Sequence, residues 1–526
     1  MGRRKRKDER DIPETEPTGE GLAVQETTKL TRKGLNGRGG GKMSYLDLPQ
    51  EYRATTRQVC GLWPFIAGAG TPMIGVPLGR DLITGSTLCM DPIAWFERAS
   101  LIANPSMFTL ALPGLGKSTV QRRLLVGLNF RGTVGIVPGD TKGEYSDIIE
   151  ALGGSVVRLG RGQGTLNPLD LGEMGTVSQS LTGRAREELS ANARGRRSNM
   201  VAALIAIARR GSVSGDEENF IDAAVQLLEH KHSDGDAPIL EDLGRLIQEG
   251  PEELRLMTLS TEDDAKYAHS VEPLMRSLLS LVHGPLGKTF NAQTSNRFPL
   301  DRPASVDLSS IPASDQLLEG SVLLACWAEA FATVEAADAL AVSKGERPRH
   351  FYLVLDELWR ILRAGVGLVD RIDELTRLNR TYGVGQSMTT HTMSDLESLR
   401  DQEDVAKAKG FVERAGLIIC GGLPRREMQL LNQIVPMTRR EQQLIVSWST
   451  PPSLDQETGR ETAPPGRGKF LVKVGGQAGM PFEMVLTPAE LSLNDTNRKW
   501  ANAIESKDQD PGADKDGVVY LPTATK

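Results

Sequence analysis

Along the middle of the chain, short apolar runs alternate with longer stretches in which apolar positions return every three or four residues. The runs from Met107 to Leu112, Thr133 to Val137, Ser155 to Leu159, Ala304 to Leu308 and Phe351 to Leu355 read as strands. The last is apolar throughout, as a strand buried on both faces must be. Lys117 to Asn129 and Tyr145 to Leu152, between the first three, read as helices. Strand, helix, strand in this rhythm predicts a parallel sheet with right-handed crossovers, in which ligands sit at the carboxyl ends of the strands. Val384 to Thr390 and Ala415 to Cys420 add two more strands, and Arg467 to Val474 with Phe482 to Leu486 predict a terminal hairpin. Ahead of the sheet, Ile74 to Arg80 and Ser86 to Cys89 are separated by Gly and Thr turn residues and predict a small hairpin.

The period changes from about Gly172 to Lys288, where Leu204, Ile207 and Ala208, then Ile221, Ala224, Val225 and Leu228, recur at helical spacing. An all-helical insertion is expected there, between two halves of an α/β domain. The expected division is a disordered tail over 1–43, a strand-rich lead-in over 44–100, the first half of the α/β core over 101–171, the insertion over 172–300, the second half over 301–492 and a flexible tail over 493–526. A long helix is predicted over Leu317 to Val342. The apolar stretch from Gly320 to Val342 is interrupted by Glu329, Glu335 and Asp338, so a buried core helix fits it better than a membrane span.

Composition narrows the class without naming a partner. The 526 residues suffice for roughly two to four domains. A hydrophobic share of 39%, a charged share of 25% and a net charge of -6 describe an ordinary soluble chain, so any nucleic-acid contact must be local. Two basic stretches qualify as local: Arg3-Arg4-Lys5-Arg6-Lys7, either solvated or set against lipid headgroups or nucleic acid, and Arg184, Arg186, Arg194, Arg196 and Arg197, either a solvated helix face or a contact for nucleic acid or a partner. Cys60, Cys89, Cys326 and Cys420 are far apart with no C-x-x-C pair, which points to a reducing compartment and away from a structural zinc site. No apolar run follows the charged amino terminus, so no signal peptide is expected, and attachment to a membrane would run through partners.

The candidate chemistry begins at Ala111-Leu112-Pro113-Gly114-Leu115-Gly116-Lys117-Ser118-Thr119, set between a strand and a helix. A loop of small residues turns backbone N–H groups toward a phosphate chain, and the helix behind it adds the positive end of its dipole. In such a loop Lys117 reaches the terminal phosphates and the Ser118 hydroxyl ligates Mg2+. The pattern asks for Gly where Ala111 stands. A second landmark closes the apolar strand: Asp356 suits an outer contact to the metal and its water, and Glu357 suits the general base for an attacking water. His391, at the end of a neighbouring strand, is a candidate sensor of the terminal phosphate, with a structural histidine as the alternative. Arg377 or Arg380 is a candidate arginine finger acting in trans in a ring, with surface ion pairs as the alternative. Arg425, Arg426, Arg439 and Arg440 are further candidates, and Asp140, Lys142 and Glu144, just past the second strand, are expected either near the phosphates or in a solvated turn.

Taken in order, Pro113-Gly114-Leu115-Gly116-Lys117-Ser118, Asp140-Thr141-Lys142-Gly143-Glu144-Tyr145, Leu166-Asn167-Pro168-Leu169-Asp170, Leu355-Asp356-Glu357 and Thr390-His391 resemble the HerA/FtsK-type motor ATPases, and among them the TraC-type conjugation ATPases of type IV secretion systems. The resemblance covers about Ile74 to Glu490. It implies a RecA-like P-loop NTPase fold with a mostly parallel central sheet and an all-helical insertion. It also implies a homohexamer that hydrolyses ATP with Mg2+ to energise conjugative DNA transfer or type IV secretion, alongside channel components and in some cases DNA. By position, Lys117, Ser118, Asp356 and Glu357 take the family's catalytic roles, while His391 stands where the family more often has Gln. Family members usually carry a further N-terminal domain, so this chain corresponds to the motor half, working in the cytoplasm or at the inner face of the membrane. Two alternatives remain open: a DNA-translocating coupling protein of the same clade, and an ATP-gated assembly scaffold of low turnover.

Overall fold

A computed structural model describes residues 72–160, 162–232, 237–312, 314–364, 369, 372–373, 382–399, 401–452 and 463–493. The expected tails, the basic run at Arg3 to Lys7, Cys60, Arg377 and Arg380 lie outside these residues. The strands are β1 (Val76–Asp81), β2 (Thr87–Met90), β3 (Ser106–Leu110), β4 (Val134–Asp140), β5 (Ser155–Arg158), β6 (Ala304–Asp307), β7 (Phe351–Leu355), β8 (Gly385–Thr390), β9 (Leu417–Cys420), β10 (Lys469–Lys473) and β11 (Met480–Met484). They form one eleven-stranded sheet in the order β2-β1-β11-β10-β9-β3-β8-β7-β4-β6-β5. From β9 to β5 every pairing is parallel. From β2 to β9 every pairing is antiparallel, and here the amino-terminal hairpin β1–β2 joins the carboxyl-terminal hairpin β10–β11 through β1 and β11.

Period-two alternation sorts the central strand between two cores. Phe351, Leu353 and Leu355 of β7 enter one core together with Leu323 and Trp327 of the helix Gln316–Lys344. Tyr352 and Val354 enter the opposite core with Val120, Leu124 and Leu128 of the helix Lys117–Phe130. Helices therefore cover both faces, as a parallel sheet requires.

The insertion forms as a run of helices from Gly172 to Phe290. Local signals start and stop them: Ser214 and Glu217 make a reciprocal capping box, and Gly250 ends another helix at φ +63°. Its apolar positions Leu204, Ile207, Ile221, Val225, Leu243 and Leu278 join the same core as β7, so insertion and sheet share one apolar interior. The helix Gln316–Lys344 has the length and apolarity to cross a membrane, yet 83% of its most apolar window is buried. Two of the four acids along it are matched. Glu335 accepts from Arg196 Nη2 at 2.6 Å and from Asn192, and Glu319 pairs with Arg360. The basic stretch of the insertion divides: Arg184 and Arg186 are exposed, while Arg194, Arg196 and Arg197 face acids of other helices. Arg184 pairs with Glu188 one turn on, and Arg194 and Arg197 lie 4.0 and 3.9 Å from Glu229. Cys89, Cys326 and Cys420 are free, buried thiols.

Candidate functional site

The strand order dictates which residues meet. β8 lies between β3, which feeds the glycine-rich loop, and β7, which ends at Asp356-Glu357, so all three carboxyl ends open on one edge. His391, the first residue after β8, is thereby set between the loop and the carboxylates.

Gly114 has φ +79° and Gly116 φ +102°, conformations that glycine adopts without strain. A side chain at Gly114 would meet no atom within 4 Å, so the loop's rim is open. Gly116 caps the helix Lys117–Phe130. The unexpected Ala111 is fully buried, and its methyl is accommodated because residue 421 is Gly: a Cβ there would stand 2.6 Å from that of Ala111. The loss of one glycine from the pattern is thus balanced by another on β9's extension.

Lys117 Nζ donates to the Ala111 carbonyl at 2.6 Å and lies 2.6 Å from His391 Nδ1. His391 Nε2 lies 3.3 Å from Glu357 Oε2. Every contact finds a donor and an acceptor if Lys117 donates to Nδ1 and the Nε2–H donates to Glu357, the tautomer assigned on that ground. The other Glu357 oxygen, Oε1, takes Lys142 Nζ at 2.9 Å, and Trp359 Nε1 donates to Oε2 at 2.6 Å. Lys117 and Glu357, 240 positions apart in the numbering of the chain, are therefore joined through one imidazole ring.

Asp356 is held by three donors. The Thr389 hydroxyl donates to its Oδ1, Tyr145 OH donates to Oδ2 at 3.2 Å, and the Glu357 N–H donates to Oδ1 at 3.0 Å. Glu357 itself has φ +52°, a left-handed conformation that costs a non-glycine residue about 1–2 kcal/mol. Asp140 pins the turn that carries Lys142: its Oδ1 accepts from the Lys142 and Glu144 N–H groups at 3.2 and 2.9 Å, and its Oδ2 from Tyr145 N at 2.7 Å.

Burial dominates the electrostatics. It lowers Lys117 to about 8 against the pull of Glu357 and Asp356. It raises Asp140 to about 6 against its backbone donors. Burial also pushes the Glu357 carboxyl up, but the bond from His391 and the charge of Lys142 outweigh it and hold that carboxyl well below the usual range. Lys142 is raised: burial would lower it, and Glu357 more than offsets that.

These residues fit a nucleoside triphosphate and its metal. The rim at Gly114 is open, Lys117 stands behind it, and Glu144 Oε2 and Thr390 Oγ1 are buried with no hydrogen-bond partner among the described residues. Leu166-Asn167-Pro168-Leu169-Asp170 serves elsewhere. Asn167 is buried, donates to the Pro238 carbonyl at 2.9 Å and accepts from Leu169 N, and Asp170 takes Arg297 Nη2 on both oxygens at 2.9 and 3.1 Å. That segment lines a separate cavity of about 50 Å3 with Arg196, Arg197 and Glu329.

No family model and no curated protein matches the chain. Among solved structures, VirB4 of Thermoanaerobacter pseudethanolicus superposes on 80% of this chain and 99% of its own, with a TM-score of 0.59 at 16% identity. The chain has the VirB4 fold. This is the RecA-like P-loop fold, with its mostly parallel sheet and helices. The conjugative coupling protein TrwB also matches. Its complex with ADP and Mg2+ covers 80% of this chain and 96% of its own at 12% identity, with a TM-score of 0.42. Within the VirB4-like frame, Lys117, Asp356, Glu357 and His391 come together as expected, and Lys142 joins them more intimately than proximity alone required. Arg425, Arg426, Arg439 and Arg440 open two helices beyond β9. Thr389 and Trp359 were not singled out from the sequence. The one available signal was their position, at a strand end and two residues past Glu357.

Proposed function

We propose that the chain is an ATP hydrolase, the motor of a conjugation or type IV secretion machine. The observation that carries this is the convergence of Lys117 and Glu357 on one sheet edge, bridged by His391. In this reading Pro113 to Thr119 wrap the phosphates, Lys117 leaves the Ala111 carbonyl for the terminal phosphates, and Ser118 and Asp356 hold Mg2+. The metal, when bound, neutralises charge developing on the transferred phosphoryl oxygens. Glu357 orients the attacking water and accepts its proton, and the donors from Thr389 and Tyr145 keep Asp356 in place.

The remaining parts belong to the same proposal. The active form is a homohexamer, with Arg377 or Arg380 reaching into a neighbour's site. It is cytoplasmic, recruited to the inner face of the membrane by channel components, and it moves DNA or protein.

The test is phosphate release by the full chain. Replacing Glu357 with Gln lowers the ATP turnover rate by about 10²–10⁴-fold and leaves nucleotide binding intact. Equal, negligible turnover by the wild type and E357Q, with both binding ATP, would refute the motor and leave the scaffold.

A further inference from the structure

Lys142 stands out among the charged groups of the cleft. Its backbone is fixed by the Asp140 carboxylate through the turn, yet its side chain is 45% exposed, whereas that of Glu357, its partner, is 3% exposed. It is a half-exposed cation on an anchored base, reaching a buried carboxylate. Its four-carbon stem and three rotatable donors allow it to change partners without moving the chain.

Glu357 has four lone-pair sites, of which Lys142, His391 and Trp359 occupy three. With three of its four sites taken, the carboxylate has little room to hold an attacking water, so a group that positions water here must shed a partner before it acts. Two of the three share the cleft with Lys117: His391 contacts it directly, and Lys142 holds the other Glu357 oxygen. Lys117, which the terminal phosphates draw to themselves, is what His391 Nδ1 leans on, and Lys142 stands on the far side of Glu357, about one imidazole ring and one carboxylate from Lys117.

We propose that Lys142 is a further catalytic cation, shared in turn between Glu357 and the terminal phosphate of a nucleoside triphosphate, so that the phosphate arms the base by taking its counter-ion. This rests on the hydrolase reading above. A terminal phosphoryl group carries more charge than one carboxylate and offers three equatorial oxygens, so the ammonium transfers to it. There it neutralises charge in the transition state from within the same chain. The diphosphate lacks the group that draws Lys142, so it leaves Glu357 paired.

Trp359 supplies a direct readout, because its indole N–H donates to Glu357 Oε2 and a shift of that carboxylate changes the indole's surroundings. The full-length protein is titrated with Mg2+ and either ADP or a non-hydrolysable ATP analogue, and the emission of a Trp359→Phe variant is subtracted. In parallel, the ATP turnover rate and the dissociation constants of ADP and the analogue are measured for the wild type, Lys142→Met and Lys142→Arg. The expected result is a Trp359 signal with the analogue but not with ADP. In Lys142→Met, turnover falls about a hundredfold, ADP binding stays within about threefold and the analogue signal is lost, while Lys142→Arg recovers part of both. Lys142→Met turning over at the wild-type rate, or a Trp359 signal identical for ADP and the analogue, overturns the inference while leaving the hydrolase reading standing. A wild type that shows the analogue-specific signal and its loss in Lys142→Met, but no turnover, keeps the counter-ion exchange and removes the hydrolase.

Discussion

Lys473 on β10 is 2% exposed and Glu441, in the helix Arg439–Ser447, is 8% exposed. The ammonium sits 3.0 and 3.2 Å from the two carboxylate oxygens. Breaking a buried pair by removing one partner costs about 3–5 kcal/mol, because the survivor keeps its charge without a counter-ion. The two halves are unequal here. Glu441 retains the N–H groups of Thr438 and Gly479, each at 2.6 Å, so Lys473→Met falls at the lower end, about 3 kcal/mol. The Lys473 ammonium has no other hydrogen-bond partner among the described residues, so Glu441→Gln falls nearer 5 kcal/mol. The double variant buries no net charge and is expected within about 2 kcal/mol of the wild type, a coupling of several kcal/mol. Urea unfolding followed by intrinsic fluorescence measures all four proteins at neutral pH. The pair also predicts acid sensitivity. Burial pushes Glu441 up, and its N–H donors and Lys473 more than offset that, so its carboxyl is lowered. A lowered carboxylate contributes stability above its unfolded value, and that stability is lost as pH falls through the folded one. Single variants costing under about 1 kcal/mol each, or purely additive effects, would refute the reasoning.

Glu329 is half-buried and lines the 50 Å3 cavity, and burial, reinforced by Asp170, raises it to about 7 against Arg297 and Arg196. A raised carboxyl binds its proton more tightly in the folded chain, so stability falls as pH rises from about 4.5 to 7. Glu329→Gln removes that fall and gains about 2 kcal/mol at pH 8 after allowance for cavity water, read as urea midpoints at pH 5 and 8. Gly116→Ala meets no steric clash, since the nearest atom is 3.7 Å away, but must hold φ at +102°. A loss of about 1–2 kcal/mol and weaker nucleotide binding are expected in calorimetry, and an unchanged protein would show that the loop relaxes. Tyr145→Phe removes the hydroxyl that donates to Asp356, with an expected cost of about 1–2 kcal/mol and a higher Mg2+ requirement for turnover.

The chain's strands were legible because each signals itself locally: Phe351 to Leu355 is apolar throughout, and the loop before Lys117 carries its glycines where φ is positive. The convergence of Lys117, His391 and Glu357 also followed, since parallel strands must present their carboxyl ends together. What sequence did not reveal was pairing at a distance. Nothing around residue 142 announces that its ammonium reaches Glu357, and nothing around Ala111 announces that Gly421 makes room for its methyl. Such matches depend on which strands become neighbours, and the order β3-β8-β7 is a property of the assembled sheet. The Leu166 to Asp170 stretch shows the opposite case, a distinctive motif whose conspicuous residues, Asn167 and Asp170, tie the sheet to the insertion and stand in a different cavity from the loop.

The pairing of β1 with β11 ties together segments that lie far apart in the order of synthesis. Gly79 approaches Glu483 so closely that a Cβ would lie 1.9 Å from its carbonyl oxygen, and Arg123 reaches across to Glu490. While the ribosome is still extending the chain, the first hairpin has no edge to dock on, and the exposed side of β9 waits beside it for β10. Closure of this seam therefore waits until β11 has been made, and a nascent chain released before residue 484 leaves two open sheet edges for chaperones or proteases to find.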